Sequence, residues 1–362
     1  MPLSNISPST YPALLADKVA GFKAAFAPFG LPEPAVFPST PLAYRMRAEF
    51  RLWHQNGRVD YAMFAATDLR QPVLIEDFPI AAPAIRAAMP LLRDRLIGSE
   101  ILRAKVFQVD FLSTLSGELL ITLIYHRELD AHWEAEARVL ADELGVQLIG
   151  RSRGQKIVLG RDWVLEAFEL DGRQLRYQQI EGSFSQPNGE VNRQMLGWAR
   201  QQAAGLGGDL LELYCGNGNF TVALAPLFGR VLATEVSKTS VQAAQYNLDA
   251  NSVDNVVLVR MSSDEISGAL AREREYRRMA GIDLASYRFS TLFVDPPRSG
   301  LDAATLALAA GFEHILYISC SQETLRQNVE ALQATHRIAA AAAFDQFPYT
   351  HHLECGLLLS RR

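Results

Sequence analysis

The feature that most restricts what this chain can fold into is a glycine-rich turn set directly behind a short apolar run, Leu210-Leu-Glu-Leu-Tyr-Cys-Gly-Asn-Gly-Asn-Phe220. Gly216 and Gly218 reach backbone angles that other residues avoid. The chain can therefore leave a strand, turn sharply and enter a helix whose first N–H groups stay free for a polar ligand. Further apolar, strand-like runs follow this unit. Counting the first, they lie at Asp209 to Tyr214, Arg230 to Glu235, Val256 to Met261, Ser290 to Asp295, His314 to Ser319, His336 to Phe344 and Glu354 to Leu359. Helical patterns such as Lys238 to Ala250 and Glu323 to Ala334 separate the first five. That order predicts an α/β fold with a seven-stranded, doubly wound sheet. Its last two strands, joined without a helix, should form an antiparallel hairpin edge.

The first half has a different texture. A helical stretch at Ala13 to Phe26 is ended by Pro28 and Gly30, and Tyr44 to His54 then alternates polar and apolar residues into Asn56-Gly57, a tight-turn signal before a second strand at Val59 to Phe64. Another hairpin is expected at Lys105 to Leu112 and Glu118 to Tyr125, with a helix over Asp130 to Leu144. A chain of 362 residues suits two cores better than one. We read 1–180 as a mixed α+β accessory domain, its first helix free to pack on the other half, and 181–362 as the catalytic domain.

Composition excludes several classes. No run reaches the roughly 18 apolar residues of a membrane span, and the stretch from Met1 to Phe22 has no basic start, apolar core or small-residue cleavage site, so a cytoplasmic location is expected. The three cysteines, Cys215, Cys320 and Cys355, show no C-x-x-C spacing, which argues against a disulfide framework, a metal site or an iron–sulfur cluster. With a net charge of −5, any phosphate contacts must come from local patches.

Glu235 ends the second strand of the doubly wound half, where a carboxylate can accept from both ribose hydroxyls of a nucleoside. The dinucleotide fingerprint needs a third small residue, and Thr221 fills that slot, so S-adenosylmethionine is preferred over NAD. The expected architecture is Rossmann-like, that of a class I S-adenosylmethionine-dependent methyltransferase.

Asp295-Pro-Pro-Arg298 stands at the carboxyl end of the fourth strand, where such sheets bind ligands. Methyltransferases of exocyclic amines carry an aromatic residue after the prolines. Arg298 there suits a carbonyl oxygen or a phosphate instead. Cys320 closes the fifth strand and Ser321 can cap the next helix, whose N-terminus should lower the thiol pKa. A lone cysteine elsewhere is more often a small core residue; beside a methyl donor it is a nucleophile. Glu354 is the candidate base, with His351 and His352 as alternatives, and Cys355 on the opposite strand face is structural. These parts suit uracil C5, which is too weak a nucleophile to be methylated unaided. Addition of a thiolate to C6 places electron density on C5, and a base then removes the C5 proton.

Ser183-Phe-Ser-Gln-Pro-Asn188, LELYCGNGNF, ATE ending at Glu235, FVDPPRSGLD, YISC and FDQFPYTHHLECG resemble, in order and over nearly the whole chain, the RNA uracil-C5 methyltransferase family, and most closely its bacterial transfer-RNA branch. The resemblance implies that Gln186, Tyr214, Asn219, Glu235 and Asp295 contact S-adenosylmethionine, that Cys320 is the nucleophile and that Glu354 accepts the proton. It also implies ribothymidine formation in the T loop of tRNA. Separately from the resemblance, a monomer is expected, and other RNAs bearing a T-like loop stay open as further partners. Relatives acting on ribosomal RNA typically add an N-terminal barrel and a cysteine-ligated cluster, neither of which can be built here.

RNA contacts are less legible. Arg45, Arg47 and Arg51 alternate along one strand face near Trp53, which suits phosphates and a stacked base as well as it suits a solvated face. Arg298 is the remaining candidate. Two other classes stay open: a cytosine-C5 methyltransferase, which usually has proline where Ser319 precedes the nucleophile, and a non-catalytic tRNA-binding or folding protein.

Overall fold

The computed structural model describes residues 6–65, 68–272 and 274–362, so the first five residues of the leader reading lie outside the described residues. Along the chain run α1 (Tyr11–Phe26), β1 (Ala35–Phe37), β2 (Arg47–Gln55), β3 (Arg58–Ala65), β4 (Asp68–Ile75), α2 (Pro83–Gly98), α3 (Glu100–Arg103), β5 (Val106–Ser113), β6 (Leu119–Tyr125), α4 (Ala131–Leu144), β7 (Gln147–Ser152), β8 (Gln155–Leu159), β9 (Trp163–Leu170) and β10 (Arg173–Ile180). They continue with α5 (Gly189–Ala203), β11 (Asp209–Leu213), α6 (Asn219–Leu224), β12 (Val231–Thr234), α7 (Lys238–Ala250), β13 (Val256–Val259), α8 (Ser263–Leu270), β14 (Phe289–Val294), α9 (Ala303–Ala309), β15 (His314–Ser319), α10 (Gln322–Leu332), β16 (His336–Phe344) and β17 (Glu354–Arg361). Two compact units result. One holds Thr40–Ala167 and Gln178–Gly189; the other holds Ser9–Ser39, Phe168–Tyr177 and Glu190–Arg362, so the chain passes between them more than once. Among the described residues no helix is long and apolar enough to cross a membrane.

The first unit is built on a seven-stranded sheet ordered β4-β3-β2-β5-β6-β7-β8. Its pairs are antiparallel except β6 with β7, where α4 supplies the crossover that parallel neighbours require. Asp130 caps α4 by accepting the Trp133 N–H, and Trp133 lies fully buried with its ring edge-on to Tyr125 at 5.7 Å. Strand β2 buries Ala48, Phe50 and Leu52 and turns Arg47, Glu49 and Arg51 to the other face.

The second unit carries an eight-stranded sheet, ordered β1-β16-β17-β15-β14-β11-β12-β13. The seven strands read from the second half are all present. The eighth is β1, three residues between Pro34 and Pro38 that pair in parallel with β16, too short to show a periodicity. Strand β17 runs antiparallel between β15 and β16. One sheet face, with Leu211, Leu213, Leu292, Val294, Ile315, Tyr317 and Leu357, shares a core with Val19, Phe22 and Phe26 of α1. On the other, Trp198 of α5 meets Phe344 at 5.8 Å and Phe220 meets Phe293 at 4.6 Å. A Cβ at Gly356 would stand 2.7 Å from the Trp198 ring and 3.0 Å from Phe344, so only glycine fits there. The order of strands reverses at β11, and the crevice beyond the carboxyl ends of β11 and β14 is where a sheet of this kind binds its ligand.

Candidate active site

At the end of β11 the chain turns through Tyr214, Gly216 and Gly218, all at positive φ (60°, 56° and 79°). No heavy atom lies within 4 Å of where a Gly216 Cβ would be, so the tip of this turn borders open space. Glu235, just past β12, is drawn toward it: Oε2 accepts the Gly216 N–H at 3.1 Å, while Oε1 accepts from Val236 and Ser237 N–H at 2.8 Å each. Asn219, the first residue of α6, exchanges two amide hydrogen bonds with Asn192 of α5, at 3.1 and 2.8 Å.

Behind the turn lies Glu212, which the sequence reading passed over. Its carboxyl oxygens are buried without a partner of hydrogen-bond geometry, and burial pushes its pKa up to about 8. The signal was visible as an acid flanked by leucines inside β11, Leu211-Glu212-Leu213. Asp295, one residue beyond β14, is likewise pushed by burial to about 7. Unpaired acidic groups beside an open glycine turn, with the Glu235 carboxylate fixed at its rim, match a donor that carries a sulfonium, an ammonium and a ribose.

The register of the sheet brings the chemical groups together. Ser319, the last residue of β15, pairs with Cys355 of β17; Cys320 follows the end of β15 and Glu354 begins β17. Because direct antiparallel partners share a face, Cys320 and Glu354 emerge on one side of the sheet and Cys355 on the other, where it joins the apolar core. Glu354 is 7% exposed. Burial, reinforced by the Asp295 charge and opposed by Arg298, lifts its pKa to about 8.

Cys320 is half-buried and feels the same groups. Burial and the Glu354 and Asp295 charges raise its thiol pKa, and only Arg298 among the charged neighbours works the other way. The net shift is therefore upward, opposite to the lowering expected from the helix N-terminus. Ser321 caps α10 as expected, accepting the Thr324 N–H at 3.4 Å, and Cys320 precedes that cap, under the influence of the Glu354 and Asp295 carboxyl groups. Arg298 is thus the cation common to Cys320 and Glu354. The His351 and His352 rings lie 4.1 Å apart, and burial with nearby cations lowers the pKa of His352. Among the described residues no group of three His, Cys, Asp or Glu side chains is placed to hold a metal ion.

The remaining candidates belong to the first unit. Arg45 donates to the Arg47 carbonyl at 2.8 Å, and Arg47 donates to the Ser183 carbonyl at 2.6 Å and the Ser185 hydroxyl at 3.4 Å. Burial lowers the pKa of both guanidinium groups. These arginines therefore brace the loop that carries Gln186, whose next residue, Pro187, accepts the Met46 N–H at 2.7 Å. Arg51 alone of the three is exposed, with its guanidinium 5.4 Å from the Phe107 ring centre.

The family model for tRNA (uracil-5-)-methyltransferase matches residues 10–362. The tRNA/tmRNA (uracil-C(5))-methyltransferase of Aromatoleum aromaticum is 71% identical over 362 residues, all of this chain and 98% of that protein. Its counterpart in Pseudomonas entomophila is 56% identical over 355 residues, 98% of each chain. Among solved structures, Pyrococcus abyssi tRNA (uracil-54, C5)-methyltransferase in complex with S-adenosyl-L-homocysteine has a similar fold. It gives a TM-score of 0.73 at 20% identity, over 96% of this chain and 83% of that one.

Proposed function

The chain belongs to the tRNA (uracil-5-)-methyltransferase family, and from that premise we propose that it methylates C5 of the T-loop uridine at position 54 of tRNA, through a covalent bond between Cys320 and uracil C6. The observation that carries this reading is the placement of Cys320, the first residue after β15, next to the start of β17 at Glu354, where the Glu354 and Asp295 charges both act on its thiol. The similar Aromatoleum aromaticum protein is named for tmRNA as well as tRNA, which supports other RNAs with a T-like loop as partners. The cytoplasm, where such RNAs reside, is the proposed location.

When bound, S-adenosylmethionine supplies one electrophilic methyl group. Gln186, Tyr214, Asn219, Glu235 and Asp295 are the residues proposed to hold it, with Glu235 on the ribose and the acidic groups behind the turn favouring its positive charges. The Cys320 thiolate adds to uracil C6, and the electron pair of the C5–C6 double bond moves onto C5 and O4, so that C5 can take the methyl group. Arg298 favours the thiolate and the electron-rich carbonyl alike. Glu354 then removes the C5 proton. The freed pair re-forms the double bond and the C6–S bond breaks, returning the thiolate. The unit built on the seven-stranded sheet engages the RNA, with Arg51 and Phe107 as its outward cation and ring, while Arg45 and Arg47 shape the Gln186 loop. A target uridine stacked in a loop must be flipped out to reach Cys320.

T-arm RNA carrying 5-fluorouridine tests this chemistry, because fluorine cannot leave as a proton. With S-adenosylmethionine present, a denaturation-resistant protein–RNA adduct is expected from the wild type and none from Cys320→Ala. An adduct of equal yield in that variant would remove Cys320 from the mechanism.

A further inference from the structure

Helix α1 sets Val19, Phe22 and Phe26 into the core of the second unit, yet the same buried stripe includes a lysine. The Lys18 side chain is 7% exposed. Its ammonium donates to Asp345 Oδ1 at 2.8 Å and to the Phe347 carbonyl at 2.9 Å, and the Asp345 side chain is fully buried. Asp345 is the first residue after β16, and residues 345–353 form the loop that ends on Glu354.

The Phe347 carbonyl is a hub of that loop. Besides Lys18 it accepts the Thr350 N–H at 3.3 Å and the Thr350 hydroxyl at 2.9 Å, and the Thr350 oxygen accepts the His352 N–H at 3.2 Å. Tyr349, held at a φ of 65°, has its ring 5.9 Å from that of Tyr11 at the start of α1, whose hydroxyl accepts the Ser39 N–H at 2.8 Å. One ammonium therefore fixes both the exit from β16 and the turn from which the chain enters β17. A buried ion pair is weak evidence for stability, since apolar residues of similar volume often do as well, but it can select one conformation among several. Here the conformation selected is that of the residues leading directly into the base.

We propose that Lys18, through Asp345 and the Phe347 carbonyl, is a positioning residue for proton removal, holding the 345–353 loop so that Glu354 meets the C5 proton of the adduct. This rests on the covalent mechanism proposed above. The step served is the last: Glu354 takes the proton, the C5–H electron pair becomes the C5–C6 double bond, and the C6–S pair returns to Cys320.

The test follows adduct formation and decay on T-arm RNA with S-adenosylmethionine, on denaturing gels, in wild type, Glu354→Gln, Lys18→Met and Asp345→Asn. Active-site concentration is set by titration with the 5-fluorouridine RNA. Lys18→Met should form the adduct at close to the wild-type rate with KM for RNA little changed, while decay per active molecule slows about 10- to 100-fold, the scale of a catalytic group displaced by an ångström or less. Asp345→Asn, which keeps shape and an acceptor for Lys18 but removes the charge, should slow decay in the same direction and carries the test if Lys18→Met does not fold. Wild-type decay per active molecule in these variants, with only the active fraction reduced, would make the pair structural and overturn the proposal. If Glu354→Gln itself decays normally, the base assignment falls, and with it the route by which Lys18 is argued to act.

Discussion

Replacing Glu354 by glutamine should stabilise the protein by an amount that grows with pH. A buried carboxyl group whose pKa is raised from 4.5 to about 8 costs the folded state nothing below the lower value. The cost increases as the unfolded chain ionises and the folded one does not, and it is complete once both have ionised. At about 1.4 kcal/mol per pH unit, that is about 3 kcal/mol at pH 7 and approaches about 5 kcal/mol well above pH 8. Glutamine has the same shape and no such titration. Its amide brings an offset of its own, but that offset is independent of pH, so the slope is the quantity to read. Because the Asp295 charge contributes to the shift, the slope belongs to the pair rather than to one carboxyl. Urea unfolding of both proteins at intervals from pH 5 to pH 8.5 should show the difference in favour of the variant widening by about 4 kcal/mol. Parallel stability curves over that range would refute the claim that Glu354 is held neutral by its surroundings.

Activity should follow the opposite course. In the proposed mechanism both Cys320 and Glu354 must lose protons that burial and mutual repulsion help them keep, so single-turnover rates should climb toward pH 8 more steeply than a single ionisation allows; a flat profile between pH 6.5 and 8.5 would contradict this. Arg298→Met should move that limb to higher pH and slow alkylation of Cys320 by iodoacetamide at fixed pH, since Arg298 opposes the upward shift of both groups. Mass mapping can assign the label, because Cys215 and Cys355 are buried. Gly356→Ala should destabilise by about 2 kcal/mol or more, seen as a melting temperature lower by several degrees, because the added methyl meets the Trp198 ring.

The parallel strands were legible because both of their faces are covered, which leaves continuous apolar runs such as that of β15, with Ile315 to Ser319 buried. Turn glycines and residues at strand ends were legible for the same reason: their chemistry is local. Strand β1 was not, since three residues between prolines carry no pattern. The direction of the Cys320 shift was not legible, because sequence shows a helix start and the acids Asp295 and Glu354 but not the burial that leads the upward shift. The contact of Lys18 with Asp345 spans 327 positions, and nothing in the neighbourhood of either residue announces the other.

Strand β17 follows β16 in sequence, yet it lies between β15 and β16. A nascent chain that has not yet delivered β17 leaves β15 with a bare edge, and β16, with β1 beside it, has no partner through which to join the parallel strands. The same segment brings Glu354. Completion of the sheet and arrival of the proposed base are therefore one event in biosynthesis. Until it occurs, an unfinished product can carry the Cys320 thiol and the glycine turn without the carboxyl group proposed to complete a turnover.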